Sequence, residues 1–186
     1  TDELLKVLNL EYNEVSGLKP GIISNIYKDE IVRKTLLFTT ETELSSIFQS
    51  LGAEKGKIIE GVKHIDDMIR ELADTTDLHS QAEQLVELIE NRSKFVAEII
   101  QMNALYKAGK IENYYQYALR SDFITPKSTE SYLNKLEIEN LSWLKKIEEV
   151  LKTKTAFVVV DMMQLPGEKG LLQLLKNKGY KLTSEN

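Results

Sequence analysis

Cysteine is absent from the 186 residues, which excludes a disulfide framework and any thiolate metal site and leaves the redox compartment open. Only two histidines occur, His64 and His79. They do not stand at ligand spacing from one another, so each reads as a surface side chain rather than half of a zinc site. Apolar runs are no longer than one strand, far short of the roughly 20 residues a membrane helix needs. Charge is interspersed rather than blocked, and the net charge of −5 recruits neither nucleic acid nor an anionic bilayer. No Walker loop, dinucleotide fingerprint, or Ser/His/Asp or Cys/His arrangement is present. With no Pro/Gly/Ser linker, repeat or low-complexity tract either, residues 1–186 read as a single domain.

What is there is helix. At 42% hydrophobic and 28% charged, the composition is that of an ordinary globular chain. Asp2 and Glu3 open a short helix carrying Leu4, Leu5 and Leu8, and Pro20 opens a second, with Ile22, Ile23, Ile26, Tyr27 and Ile31 on one face. Thr40 and Glu43 have capping-box spacing before Leu44, Ile47, Phe48 and Leu51, and Gly52 closes that helix. Another is expected over Ile65, Met68, Ile69 and Leu72. Asp77 to Ala108 carries the longest helical signal, with a kink expected at Asn91-Arg92-Ser93. Ile111 to Leu119 forms a shorter helix, and Ser128 caps one that lines up Leu133, Leu136, Asn140, Trp143, Ile147 and Val150. Three short apolar runs, 57–60, 156–160 and 180–183, read as strands. The expected class is therefore α+β, predominantly helical with a small sheet. The first two runs are apolar enough to be unsafe as free edges, so a partner chain or a second copy is expected to cover one.

The chain is organised around Ala156 to Tyr180, AFVVVDMMQLPGEKGLLQLLKNKGY. The run 156–160 reads as a buried strand that stops at Asp161. A connection follows, and then Leu171, Leu172, Leu174 and Leu175 share a helical face whose first turn carries Glu168. Gly179 ends this helix as a C′ residue tolerant of positive φ, with Tyr180 folding back. A ligand would sit at the carboxyl end of the strand. Asn140, an amide on an apolar stripe, is either a satisfied structural residue or part of a polar pocket. The tyrosines at 114, 115 and 117 invite a stacking or sugar-binding role, but a helix packing two inward and one outward explains them without a ligand.

The same stretch resembles the C-terminal motif of the TraB/PrgY/GumN family, related to the Tiki metalloproteases, whose usual form is V-G-x-x-H-L-x-G-x-x-G-L-L-x-L-L-x-x-x-G-Y. Leu165, Gly167, Gly170, Leu171, Leu172, Leu174, Leu175, Gly179 and Tyr180 match it. Ala53 to Met68 resembles the family's A-K-x-x-G-K-x-I-x-G-L-E-T-x-E-E-Q segment, Glu139-Asn140-Leu141-Ser142-Trp143 its R-N-x-x-W, and Leu18-Lys19-Pro20 its L-K-P-W. The polar positions depart from the pattern. Lys63 stands for Glu, Glu139 for Arg, Asp161 for Gly and Gln164 for His, and the family's N-terminal portion with its own G-x-x-H has no counterpart before Thr1. If the family's Glu and Arg face one another, Lys63 and Glu139 make the same pair with its polarity exchanged.

The resemblance implies a peptide- or protein-directed role, an extracytoplasmic or cell-surface setting, and a scaffold resembling the C-terminal two-thirds of a family domain. Glutamine is a poor replacement for imidazole as a metal ligand, and lysine cannot do a carboxylate's work. The expected protein is thus a non-catalytic binding homologue without a cofactor. Its candidate ligand-binding residues are Lys63, Glu139, Asn140, Asp161, Gln164 and Glu168, and its partner is a peptide, a protein, the missing N-terminal half or a second copy. The alternatives are a metal-dependent peptidase-like hydrolase using Zn or Mn, with its main ligands outside this chain, and a helical adaptor.

Overall fold

Helix starts and stops written in the sequence decide most of the architecture. A computed structural model describes residues 2–37, 44–63, 77–123 and 129–184. Among these residues the chain forms α1 (Asp2–Leu8), α2 (Tyr12–Val15), α3 (Pro20–Leu36), α4 (Leu44–Glu54), α5 (Leu78–Glu90), α6 (Arg92–Lys107), α7 (Ile111–Ala118), α8 (Thr129–Leu151), a 3-10 turn (Met162–Gln164) and α9 (Leu171–Asn177). The helix expected over 65–72 and the capping pair Thr40 and Glu43 lie outside the described residues.

Two compact units result, 1–47 with 63–101, and 48–62 with 102–186. In the first, α3 lies against α5 and α1 against α3. The Asp77 side chain caps α5 by accepting from His79 N at 2.9 Å and Ser80 N at 3.0 Å, satisfying donors the helix cannot. Pro20 sits in the first turn of α3. The next free N–H of that turn, on Gly21, donates to the Oε1 of buried Gln81, at 3.0 Å. This is a cap supplied from another helix. At the other end, Lys34 Nζ donates to the Val7 carbonyl in the last turn of α1, where a cation complements the helix dipole. The expected break between α5 and α6 falls at Asn91, whose amide donates back to Glu87 O at 2.9 Å.

The core of this unit follows a narrower stripe than periodicity implies. Tyr27 and Ile31 of α3 are buried, while Ile22 and Ile26 are exposed. On α5 the inward residues are Gln81, Leu85 and Leu88, and Leu78 is exposed. Choosing Gln81 over Leu78 makes sense once Gly21 N is counted, since a buried donor needs an acceptor more than a leucine at a helix end needs cover.

In the second unit α9 lies against α8, and α7 against the 3-10 turn. Leu136, Asn140, Leu144 and Ile147 form the inward stripe of α8, and Met102, Tyr115, Ala118 and Met163 join as one cluster. α4 runs past Gly52 to Glu54, and the positive φ falls on Gly56 instead, at 62°.

The small sheet expected at 57–60, 156–160 and 180–183 does not form. Among the described residues there is no strand, so the class is all-helical rather than α+β. A short apolar run shows that a segment is suited to burial or pairing, but a strand exists only where a neighbouring backbone supplies the ladder. None does here. Ile58, Ile59, Phe157, Val158 and Val159 are all exposed, and the Phe157 ring leans on Phe48 of α4 with centroids 4.9 Å apart.

The Tyr27 ring is fully buried but its hydroxyl has no hydrogen-bond partner among the described residues. Tyr27→Phe should therefore leave stability within about 0.5 kcal/mol of the parent or raise it, whereas Gln81→Ala, which orphans Gly21 N, should lose about 1–2 kcal/mol. Urea unfolding of both variants checks the pair.

Candidate functional site

Asn140 is the most deeply placed polar side chain of α8, at 0% exposure. Its Nδ2 donates twice, to Gln164 O at 3.1 Å and to Lys169 O at 2.9 Å. These carbonyls lie near the two ends of the turn that separates Asp161 from α9. One amide therefore clamps the whole connection onto α8.

The turn is shaped for that clamp by its own residues. Asp161 caps the 3-10 turn, with Oδ1 accepting from Met163 N at 2.8 Å. Gly167 has φ of 80°, and a Cβ there would come within 2.8 Å of the Tyr115 ring. A Cβ on Gly170 would run into the Leu165 and Pro166 carbonyls. Both glycines are thus demanded by close approach, the first also by its backbone angle. Leu172 N donates back to Leu165 O at 3.2 Å, which ties the start of α9 to the turn. α9 ends as expected, with Gly179 at φ of 89° and Tyr180 N returning to Leu175 O at 3.1 Å.

Around the clamp lies a polar group. Gln164 Nε2 donates to Glu139 Oε2 at 3.3 Å. Tyr114 and Tyr132, both half-buried, sit against the cluster that contains Tyr115 and Met163. Burial pushes the Tyr132 hydroxyl up to about 12, and the charges of Asp161 and Glu139 add to the effect. Tyr114 is raised in the same way, by burial first and then by Asp161. Two buried acceptors in this group, Asn140 Oδ1 and Gln164 Oε1, receive no hydrogen bond from the described residues.

The family model of TraB/PrgY/gumN matches residues 1–184, nearly the entire chain. The chain belongs to the TraB/PrgY/gumN family. No curated protein and no solved structure matches it.

Within this TraB/PrgY/gumN chain, four of the six residues singled out from sequence, Glu139, Asn140, Asp161 and Gln164, fall in the polar group just described. Glu168 does not take part in the first turn of α9, which begins at Leu171 behind the N-cap Gly170. Its side chain is exposed in the preceding turn. Lys63 is half-buried and groups with the first unit, whereas Glu139 belongs to the second. His64, Asp66 and Asp67 lie outside the described residues. His79 is exposed beside Glu83, at 3.3 Å.

No group of three or more His, Cys, Asp or Glu side chains able to hold a metal occurs among the described residues.

Sequence reasoning misses Tyr132. A signal existed, because Tyr132 lies seven residues before Glu139 on α8 and so two turns along the same stripe. The tyrosines of α7 divide as one buried, Tyr115, and two half-buried, Tyr114 and Tyr117.

A raised phenol favours the folded state only while it stays protonated. Stability from Tyr132 is complete below its ordinary value of 10.0 and falls as pH climbs from there through about 12. An absorbance titration at 295 nm should show one hydroxyl ionising near that upper value, and it should ionise at lower pH in Asp161→Asn, which keeps the cap but removes the charge. In the same turn, Gly170→Ala should cost about 2–4 kcal/mol in urea unfolding, because backbone rather than a flexible side chain blocks the methyl.

Proposed function

We propose that this TraB/PrgY/gumN family chain works by binding, as a non-catalytic homologue with a peptide- or protein-directed role, and that the turn 161–170 with the facing stripe of α8 is its recognition surface. One observation carries the reading. Asn140 and Gln164 are held by their donor ends, which leaves Asn140 Oδ1 and Gln164 Oε1 as acceptors with no donor among the described residues. Buried acceptors without donors cost free energy, so each calls for an explanation, and a ligand that donates the missing bond is one.

The chemistry of the residues supports binding over hydrolysis. Glutamine in the place the family gives to histidine is neither a general base nor a transition-metal ligand of comparable strength. A protein partner draws separate support from the exposed apolar side chains of the second unit, Ile58, Ile59, Phe157, Val158 and Val159. A second copy of the chain is the simplest such partner. Light scattering should then show mass rising with concentration, and Phe157→Ser with Ile58→Ser should abolish the rise. A parent that stays monomeric at high concentration contradicts the second-copy reading.

The test of the main reading is an array of 15-residue peptides probed with the parent and with Asn140→Ala. The expected result is a subset of peptides bound with micromolar Kd, lost in the variant and recovered intact by mass spectrometry. Cleavage of bound peptides on adding Mn²⁺ or Zn²⁺ would instead place the chain with the metal-dependent hydrolases, and an array with no signal would favour the helical adaptor.

A further inference from the structure

We infer that the group formed by Tyr114, Tyr132, Glu139, Asn140, Asp161 and Gln164 recognises an organic cation bearing N–H donors, such as a lysine ammonium or the amino end of a peptide. The inference rests on the binding role proposed above and names the chemistry of what is bound.

The argument begins with amide orientation. Asn140 Nδ2 faces two backbone carbonyls, Gln164 O and Lys169 O, and carbonyls only accept. Turning this amide over would set oxygen against oxygen twice. Gln164 Nε2 faces Glu139 Oε2, a carboxylate oxygen that accepts. The orientation of both amides is therefore decided by their partners, and what each has left to offer is an oxygen. Both oxygens are buried and lack donors among the described residues. Asn140 is itself wholly buried, so no rotation into solvent relieves it.

Charge and aromatic surface point the same way. Glu139 and Asp161 make the neighbourhood negative, and their charges reach the Tyr132 hydroxyl. Lys169, on the turn itself, is held at 2.8 Å from Glu137 and 2.9 Å from Asn134 Oδ1. Tyr114 and Tyr132 are half-buried against the cluster holding Tyr115 and Met163, so two π systems border the group. Carboxylates, amide oxygens and aromatic rings together attract positive charge and accept hydrogen bonds. They offer little to an anion. A peptide carbonyl or carboxylate is accordingly the wrong half of a ligand for this place, and an ammonium is the right one.

The probe is n-butylammonium chloride, titrated into ¹⁵N-labelled protein at constant ionic strength in KCl, with n-butanol and tetramethylammonium as companions. The side-chain amide resonances of Asn140 and Gln164 should shift saturably with n-butylammonium, with Kd on the order of 1 mM for so small a ligand. Tetramethylammonium has charge but no N–H and should bind about tenfold weaker, while n-butanol should give no saturable shift. The double variant Asp161→Asn, Glu139→Gln keeps an acceptor at each position and keeps the cap at 161. It should fold, by circular dichroism, and lose about tenfold or more of the affinity. No saturable shift, equal binding of tetramethylammonium or n-butanol, or an unaffected double variant would each overturn the inference. If an array peptide binds and keeps its Kd after norleucine replaces lysine and its amino end is acetylated, the cation assignment fails while the binding role stands.

Discussion

The hydrogen bonds from Asn140 Nδ2 to the carbonyls of Gln164 and Lys169 are the constraint on which the second unit depends. They hold against α8 a turn whose own shape is set by the Asp161 cap and the bond from Leu172 N to Leu165 O. The turn brings the 3-10 segment against α7, sets Met163 into the cluster with Tyr115, and delivers Leu171 into the core at the start of α9. Gly167 and Gly170 follow from the same constraint, because a turn drawn that tightly onto its neighbours has no room for a Cβ at either place. A row of matched motif positions thus becomes a single mechanical device.

The clamp does not use the Gln164 side chain. Substituting Gln164 changes a side chain, whereas the clamp engages the backbone carbonyl of that same residue. Scaffold and side-chain chemistry are separable here, and the Gln164 amide reaches Glu139 by a direct hydrogen bond. This gives the pair a structural meaning that neither residue has alone, and it leaves a neighbourhood rich in acceptors.

Much of this was legible in the residues. Periodicity located α3, α5 and α8, the long helical signal is interrupted at Asn91 within the 91–93 stretch where a kink was expected, and Gly179 closed α9. Asn140 stood out because an amide on an apolar stripe must be answered, and both readings of it proved relevant, one end satisfied and the other not. The strands were not legible, for a physical reason. Runs such as 156–160 encode an appetite for apolar contact, and nothing local says whether a backbone ladder will be there to meet it. Their exposure in this chain shows that the appetite is unmet by its own described residues. Tyr132 escaped notice because its importance comes from Asp161, which is distant in sequence and adjacent only after the clamp has closed.

The clamp itself is tested most directly by Asn140→Asp, an isosteric change that replaces the donor with a carboxylate oxygen facing two carbonyls. Urea unfolding at pH 8 should show a loss of about 3–5 kcal/mol, since a buried charge without partners is among the costliest defects a core can carry. Stability within about 0.5 kcal/mol of the parent would mean that the turn is held by its glycines and leucines alone, and that Asn140 is not what the second unit depends on.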